Sequence, residues 1–116
     1  MKDIELKLES KNITPHYEIK GKILVGFTGR YDGIVINTQI LNSNHLITYK
    51  SYNGKKITQN HSRLFISKDS MPNNVADFTA TIDFEPDHPH DVKFRVSIIE
   101  QHKEIESDIQ FAKLFV

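Results

Sequence analysis

Ala76-Asp77-Phe78-Thr79-Ala80-Thr81-Ile82-Asp83-Phe84-Glu85 is the stretch that decides the fold, because its apolar and polar side chains alternate without a break. Alternation with a period of two is the pattern of a β-strand with one buried and one solvated face. Residues 92–98 repeat the pattern after a short loop. We therefore predict a hairpin of two strands around residues 85–91, in which Asp83 lies opposite Lys93 on the solvated face.

Alternation recurs at residues 4–8 and 19–28. Residues 34–41 are apolar on both faces and are expected at a sheet centre, and residues 45–52, 55–59 and 63–67 are further predicted strands. Asn53-Gly54 is the strongest short hairpin signal, because both central residues of a type I′ turn need a positive φ. Residues 104–116 have spacings that suit either a helix or a strand, and we expect a strand because the segments before them are β. About eight strands separated by frequent turns predict a single domain over residues 1–116. Its expected fold is an all-β, antiparallel, two-sheet sandwich of immunoglobulin-like type.

The composition excludes several classes of protein. With 116 residues, 38% hydrophobic and 26% charged, the chain has the size of one domain and enough apolar side chains for a core. Fifteen basic and fifteen acidic residues argue against a strongly basic nucleic-acid-binding protein. The chain has no cysteine, so disulfides and thiolate zinc sites are excluded. The start at Met1 shows no signal-peptide pattern and no apolar run could span a membrane, so we expect a cytoplasmic protein.

One cluster of residues suggests chemistry, the loop Asp87-His88-Pro89-His90-Asp91. Two histidines at i and i+2 in a proline-stiffened segment, flanked by carboxylates, form a candidate site for zinc or another divalent ion. A third ligand would have to come from another loop, for which the candidates are His16, His45, His61 and His102. The alternative interpretation is a polar hairpin loop without a bound ion.

Two further sites are weaker candidates. Calcium could be held by carboxylates of one sandwich end, with ligands drawn from Asp83, Glu85, Asp87, Asp91, Asp32 and Asp69. Single-stranded nucleic acid needs aromatic rings beside positive charge, and the second hairpin offers Lys50, Lys55, Lys56, His61, Arg63, Tyr49 and Tyr52. Tyr49 and Tyr52 have opposite parity and should lie on opposite faces of a regular strand, which argues against nucleic-acid binding.

Three segments resemble an arrestin-like N-terminal domain, the β-sandwich shared by arrestins, the retromer cargo-binding subunit and sporulation-control proteins. They are residues 19–26, residues 34–40, and a phenylalanine with a two-proline loop and an alternating strand at residues 84–96. The resemblance implies a non-catalytic scaffold that binds another protein. The chain has room for one such domain, whereas arrestins pair two.

The residues themselves also favour a non-enzymatic protein. There is no nucleophile elbow and no glycine-rich phosphate loop, and we expect no cofactor. We predict a protein-interaction module that binds an unidentified protein partner through a sheet edge or an end loop. A homodimer through an unpaired edge strand is a further expectation. The competing hypothesis is a metal-dependent module that uses the histidine loop.

Overall fold

A computed structural model describes residues 2–116, which form ten strands in two facing sheets. The first sheet has the strand order β1-β3-β8-β5-β6 and the second has the order β2-β10-β9-β4-β7. All neighbouring strands are antiparallel except β2 and β10, which are parallel. The predicted β-sandwich is confirmed, with two strands more than expected. In chain order the strands are β1 (Ile4–Leu8), β2 (Asn12–Ile13), β3 (Ile19–Val25), β4 (Gly33–Ile40), β5 (Thr48–Tyr52), β6 (Lys55–Asn60), β7 (Arg63–Ser67), β8 (Val75–Thr81), β9 (His90–Glu100) and β10 (Lys103–Leu114).

The core lies between the sheets and is centred on three aromatic rings. Phe78 of the first sheet lies 6.3 Å from Tyr49 and 6.4 Å from Phe94 of the second sheet, measured between ring centroids. The Phe78 ring also covers Gly21, the residue opposite it on β3, where a Cβ atom would lie 2.4 Å from the ring. A side chain at position 21 would therefore displace a ring that is packed on both sides.

Tyr49 joins the two sheets through its hydroxyl as well as its ring. The Tyr49 hydroxyl donates to the carbonyl of Ser62 at 2.7 Å and lies 2.9 Å from the Thr38 hydroxyl on β4. The side chain is fully buried, and this burial raises the pKa of the Tyr49 phenol. A buried hydroxyl is tolerated because both of its hydrogen-bonding roles are satisfied.

The predicted hairpin of residues 76–85 and 92–98 is wrong. β8 and β9 belong to different sheets, and the loop at residues 82–89 crosses between them. Their apolar faces point at each other across the core, which is why the two alternating patterns match so well. Asp83 consequently does not pair with Lys93; it accepts a hydrogen bond from Thr81 and lies 3.4 Å from His16.

The second hairpin and the C-terminal strand agree with the sequence. Asn53 and Gly54 have φ values of 46° and 81° between β5 and β6, and residues 103–114 form β10. The register of β5 shifts between Tyr49 and Ser51, which marks a bulge. Because of this bulge Tyr49 and Tyr52 both pack against the core, so the expectation that they lie on opposite faces is wrong.

Candidate functional site

The predicted histidine loop lies at one end of the sandwich, where β8 crosses to β9. His88 is exposed, and its Nδ1 lies 2.8 Å from the Asp87 carboxylate. His90 is buried, and its Nδ1 lies 2.8 Å from the carbonyl oxygen of Leu41. The two imidazole rings are 4.4 Å apart between centroids. The fourth residue of the predicted set, Asp91, pairs with Lys113 at 2.8 Å instead.

Two further histidines come to the same end of the molecule. His16 lies 2.9 Å from Glu85, and hydrogen bonding to this carboxylate raises the pKa of His16. His45 stacks on Phe84 with 3.8 Å between ring centroids and an interplanar angle of 6°. Four of the six histidines therefore lie around one loop, although they are spread over more than seventy positions of the sequence, from His16 to His90.

Although four histidines lie near this end, they do not bring three metal ligands together. Within residues 2–116, no group of three or more histidine, aspartate and glutamate side chains is arranged to hold a metal ion. The second carboxylate sources for calcium lie elsewhere: the backbone of Asp32 bonds to Ile99 and Lys68, at the opposite end of β9 from Asp91. Metal binding by His88 and His90 stays a prediction.

The basic hairpin does not form the aromatic surface that nucleic-acid binding needs. Tyr49 is buried in the core, and Tyr52 is half-buried with Lys55 over its ring at 5.7 Å. Lys55 and Lys56 therefore lie on an edge where neither tyrosine of the hairpin offers an exposed ring on which bases could stack.

Three of the sheet edges are protected against strand addition. On β1, the backbone N–H of Leu6 donates to the buried carboxylate of Asp108 at 2.9 Å. On β6, the register shift inserts a bulge, and Lys55 and Lys56 bring positive charge. On β7, the side chains of two neighbouring residues reach both outward backbone groups of Arg63: His61 Nδ1 accepts from its N–H, and Gln59 donates to its carbonyl.

The edge of β10 differs from the other three. β2 pairs with β10 only at Lys113 and Leu114, and the backbone N–H of Lys113 donates to the carbonyl of Lys11. Alternate residues of a strand direct their backbone groups to the same side, so those of Ile109 and Phe111 also point out of the sheet. No strand of residues 2–116 pairs with this stretch through backbone hydrogen bonds on this side of β10; β1 contacts it only from the facing sheet. Ile109 and Phe111 are 37% and 52% exposed, so the open edge is also apolar.

We call residues 107–111 the open edge. Reasoning from the sequence missed it, because it could not establish that β10 lies beside a strand of only two residues. The signal that was present is the pair Ile109 and Phe111, which are apolar residues on the solvated face of a strand.

The structure is an all-β sandwich with one open, apolar edge. Solved structures of other proteins share this fold. A conjugative transposon lipoprotein from Bacteroides eggerthii has a TM-score of 0.58 and 8% identity, over 98% of each chain. A lipoprotein from Bacteroides thetaiotaomicron has a TM-score of 0.58 and 8% identity, over 100% of this chain and 82% of the other. An adhesin of enterotoxigenic E. coli has a TM-score of 0.64 and 10% identity; the match covers 97% of this chain but only about half (48%) of the adhesin. No protein-family model and no curated protein matches the chain.

These likenesses establish the β-sandwich and correct one expectation. The predicted cytoplasmic location is wrong, because the structures that the chain resembles are lipoproteins and an adhesin. The arrestin resemblance is reduced to what it shares with them, which is the β-sandwich itself. Within residues 2–116 there is no helix with the length and hydrophobicity that crossing a membrane requires.

Proposed function

We propose that residues 1–116 form one non-catalytic interaction domain that acts at the cell surface or outside the cell. In this proposal, the domain binds a protein partner by accepting an extended segment at the open edge of β10. The observation that carries the proposal is the contrast between the edges: three are protected by charge, a bulge or side-chain caps, whereas the open edge presents Ile109 and Phe111 to solvent. The lipoprotein and adhesin neighbours support the location.

The open edge has the properties that strand addition needs. The outward N–H and C=O groups of Ile109 and Phe111 can form a ladder of hydrogen bonds with a partner segment, which supplies affinity. Their side chains lie on the outer face of the sheet and can pack against alternate side chains of that segment. Burial of this apolar surface adds about 25 cal/mol for each Å² removed from water.

A free segment fits this edge better than a second copy of the chain. Antiparallel pairing of two β10 strands around Ile109 would place residue 105 of one copy opposite Lys113 of the other. Asn12 of β2 already occupies that position. The predicted homodimer through this edge would therefore require β2 to move away, whereas a segment of about five residues fits between β2 and the bulge at Glu104–Glu106.

Affinity capture from the organism of origin tests the proposal when wild type is compared with two edge variants. Ile109→Lys places a charge on the open edge, and capture of the partner should fall at least tenfold because the charge must be desolvated. Thr58→Lys places the same charge on the exposed edge of β6 and should leave capture unchanged. Thermal melting monitored by circular dichroism establishes that both variants are folded. A partner that is retained by the Ile109 variant and lost from the Thr58 variant would refute the assignment of the edge.

The histidine loop supports a second candidate function, binding of a divalent ion. The observation that favours it is the 4.4 Å separation of the His88 and His90 rings beside Asp87. If zinc binds there, a zinc concentration one hundred times the Kd should stabilise the fold by about 2.7 kcal/mol. Thermal melting with chelator, zinc or calcium measures this effect. His88→Ala should abolish the stabilisation and leave the fold intact, because His88 is exposed; an unchanged melting temperature with every ion would remove the hypothesis.

A further inference from the structure

A cleft of about 880 Å³ lies at the other edge of the second sheet, where β6, β7 and the turn between β9 and β10 meet. Most of its lining residues are polar or basic, Phe65 and Ile99 are apolar, and none is acidic. A volume of this size is typical of sites for small ligands. The residues that matter for its chemistry are Gln59, Asn60, His61, Arg63, Phe65 and His102.

Positive charge in this cleft is not neutralised by the protein. Arg63 forms no ion pair with any carboxylate of residues 2–116, unlike Arg95, which is bound by Glu104. His61 accepts the backbone N–H of Arg63 through Nδ1, so its neutral ring carries the hydrogen on Nε2 and offers a donor. His102 adds another imidazole from the tight turn after β9. The carboxylate of Asp32 is held by the backbone N–H of Gln101 and does not line the cleft, so the lining offers donors without an acidic group, which favours an anionic ligand.

Phe65 supplies an apolar surface beside these donors. Its side chain is 48% exposed, and its ring lies across Gly33, where a Cβ atom would come within 2.7 Å of Cζ. Because Gly33 has no side chain, the Phe65 ring can lie over β4 at this position. An exposed ring held in this way can pack against the C–H groups of a sugar ring.

The backbone groups of Arg63 are already hydrogen-bonded within the protein, which excludes strand addition there. A ligand in the cleft would therefore bind to side chains. Both outward backbone groups of Arg63 are occupied, by His61 Nδ1 at 3.0 Å and by Gln59 Nε2 at 2.7 Å. An extended peptide would have to displace both. Gln59 and Asn60 use their amide nitrogens within the protein, so their amide oxygens remain as acceptors for hydroxyl groups.

We propose that this cleft is a binding site for a carboxylate-bearing saccharide. Arg63 pairs with the carboxylate, Phe65 packs on the sugar ring, and the amide oxygens of Gln59 and Asn60 accept hydrogen bonds from hydroxyl groups. The site is separate from the open edge of β10 and does not depend on strand addition there.

Titration of the full chain, followed by two-dimensional NMR, tests the proposal with three probes. Glucuronate carries both the charge and the ring, glucose carries the ring alone, and inorganic sulfate carries charge alone. We expect glucuronate to shift the amide signals of Arg63, Phe65 and His102, with a Kd in the millimolar range, roughly tenfold below that of either control probe.

Two variants and a control assign the binding to the cleft. Arg63→Ala should weaken glucuronate binding about tenfold, because it removes a charge-assisted hydrogen bond and leaves the backbone bonds of residue 63 in place. Phe65→Ala should weaken glucuronate and glucose alike, whereas Lys56→Ala, an exposed cation on β6, should change neither. Equal affinity for sulfate and glucuronate, absence of any shift, or unchanged binding by the Arg63 variant would overturn the proposal.

Discussion

Replacement of Asp108 should measure how strongly the two sheets are joined at their β1–β10 side. This carboxylate lies on the second sheet, is 9% exposed, and accepts the backbone N–H of Leu6 from the first sheet at 2.9 Å. A hydrogen bond to a charged group contributes about 1.5–3 kcal/mol. The second partner, Lys2, lies at 3.3 Å but is 62% exposed, so its ion pair adds little. We expect Asp108→Ala to lower the free energy of unfolding by about 2 kcal/mol, which corresponds to a melting temperature lower by about 8 °C.

The pH dependence distinguishes this hydrogen bond from simple loss of packing. Burial acts to raise the pKa of Asp108, but the hydrogen bonds from Leu6 and Lys2 outweigh it, and the net pKa lies below its usual value. A group whose pKa is lowered by folding stabilises the native state above its unfolded pKa, near 4 for aspartate, and this contribution is lost as the pH falls through the folded pKa. The difference between wild type and Asp108→Asn should therefore shrink from pH 7 towards pH 2.

Urea unfolding at several pH values measures both effects. Asp77→Ala, a change of the same residue type at an exposed position of β8, should alter stability by less than about 0.5 kcal/mol and serves as the control. Equal stability of wild type and Asp108→Ala at pH 7 would refute the reasoning. If the difference in unfolding free energy between wild type and Asp108→Asn stays constant from pH 7 to pH 2, the proposed contribution of the Asp108 charge is refuted.

Three further changes test other contacts. Tyr49→Phe should cost about 1–3 kcal/mol in urea unfolding, because it leaves the buried Thr38 hydroxyl without its partner and removes one of the two hydrogen bonds to the Ser62 carbonyl. Gly21→Ala should cost about 1–3 kcal/mol by the same measurement, since the ring of Phe78 has no room to move away. Glu85→Gln should lower the pH at which His16 titrates by NMR, because hydrogen bonding to the Glu85 carboxylate raises the pKa of His16. The stability from that pair is present in acid and lost as the pH rises through the raised pKa, so a variant that titrates like wild type would contradict the pairing.

The sequence predicted those parts of the fold that depend on neighbouring residues. Alternation in residues 76–82 identified the buried face of β8, and Asn53-Gly54 identified the turn between β5 and β6, because side-chain period and positive φ are local properties. The choice of sheet is not local. β8 and β9 are consecutive strands with matching patterns, yet they face each other across the core, since alternation fixes which side is buried and not which strand lies alongside.

The same limit explains why the candidate sites were only partly predicted. The loop at residues 87–91 was visible because its histidines are adjacent in sequence, whereas His16 and His45 join it only through the crossing of the chain between sheets. The bulge at Lys50 was also invisible, and it turns Tyr52 towards the core and removes the aromatic surface of the basic hairpin. A single extra residue in a strand moves every following side chain to the opposite face of the sheet.

The distribution of edge protection gives a physical reason to look for function at β10. An unprotected apolar edge exposes a protein to unwanted pairing, so its presence beside protected edges needs a compensating advantage. Protection at β1 comes from Asp108, which lies on β10 next to the exposed Ile109. β10 therefore protects the edge of β1 through the inward side chain of Asp108, while its own edge exposes the outward side chains of Ile109 and Phe111. Lysine at position 109 would protect β10 as Lys55 and Lys56 protect β6, whereas the isoleucine found there suits a surface that accepts a strand.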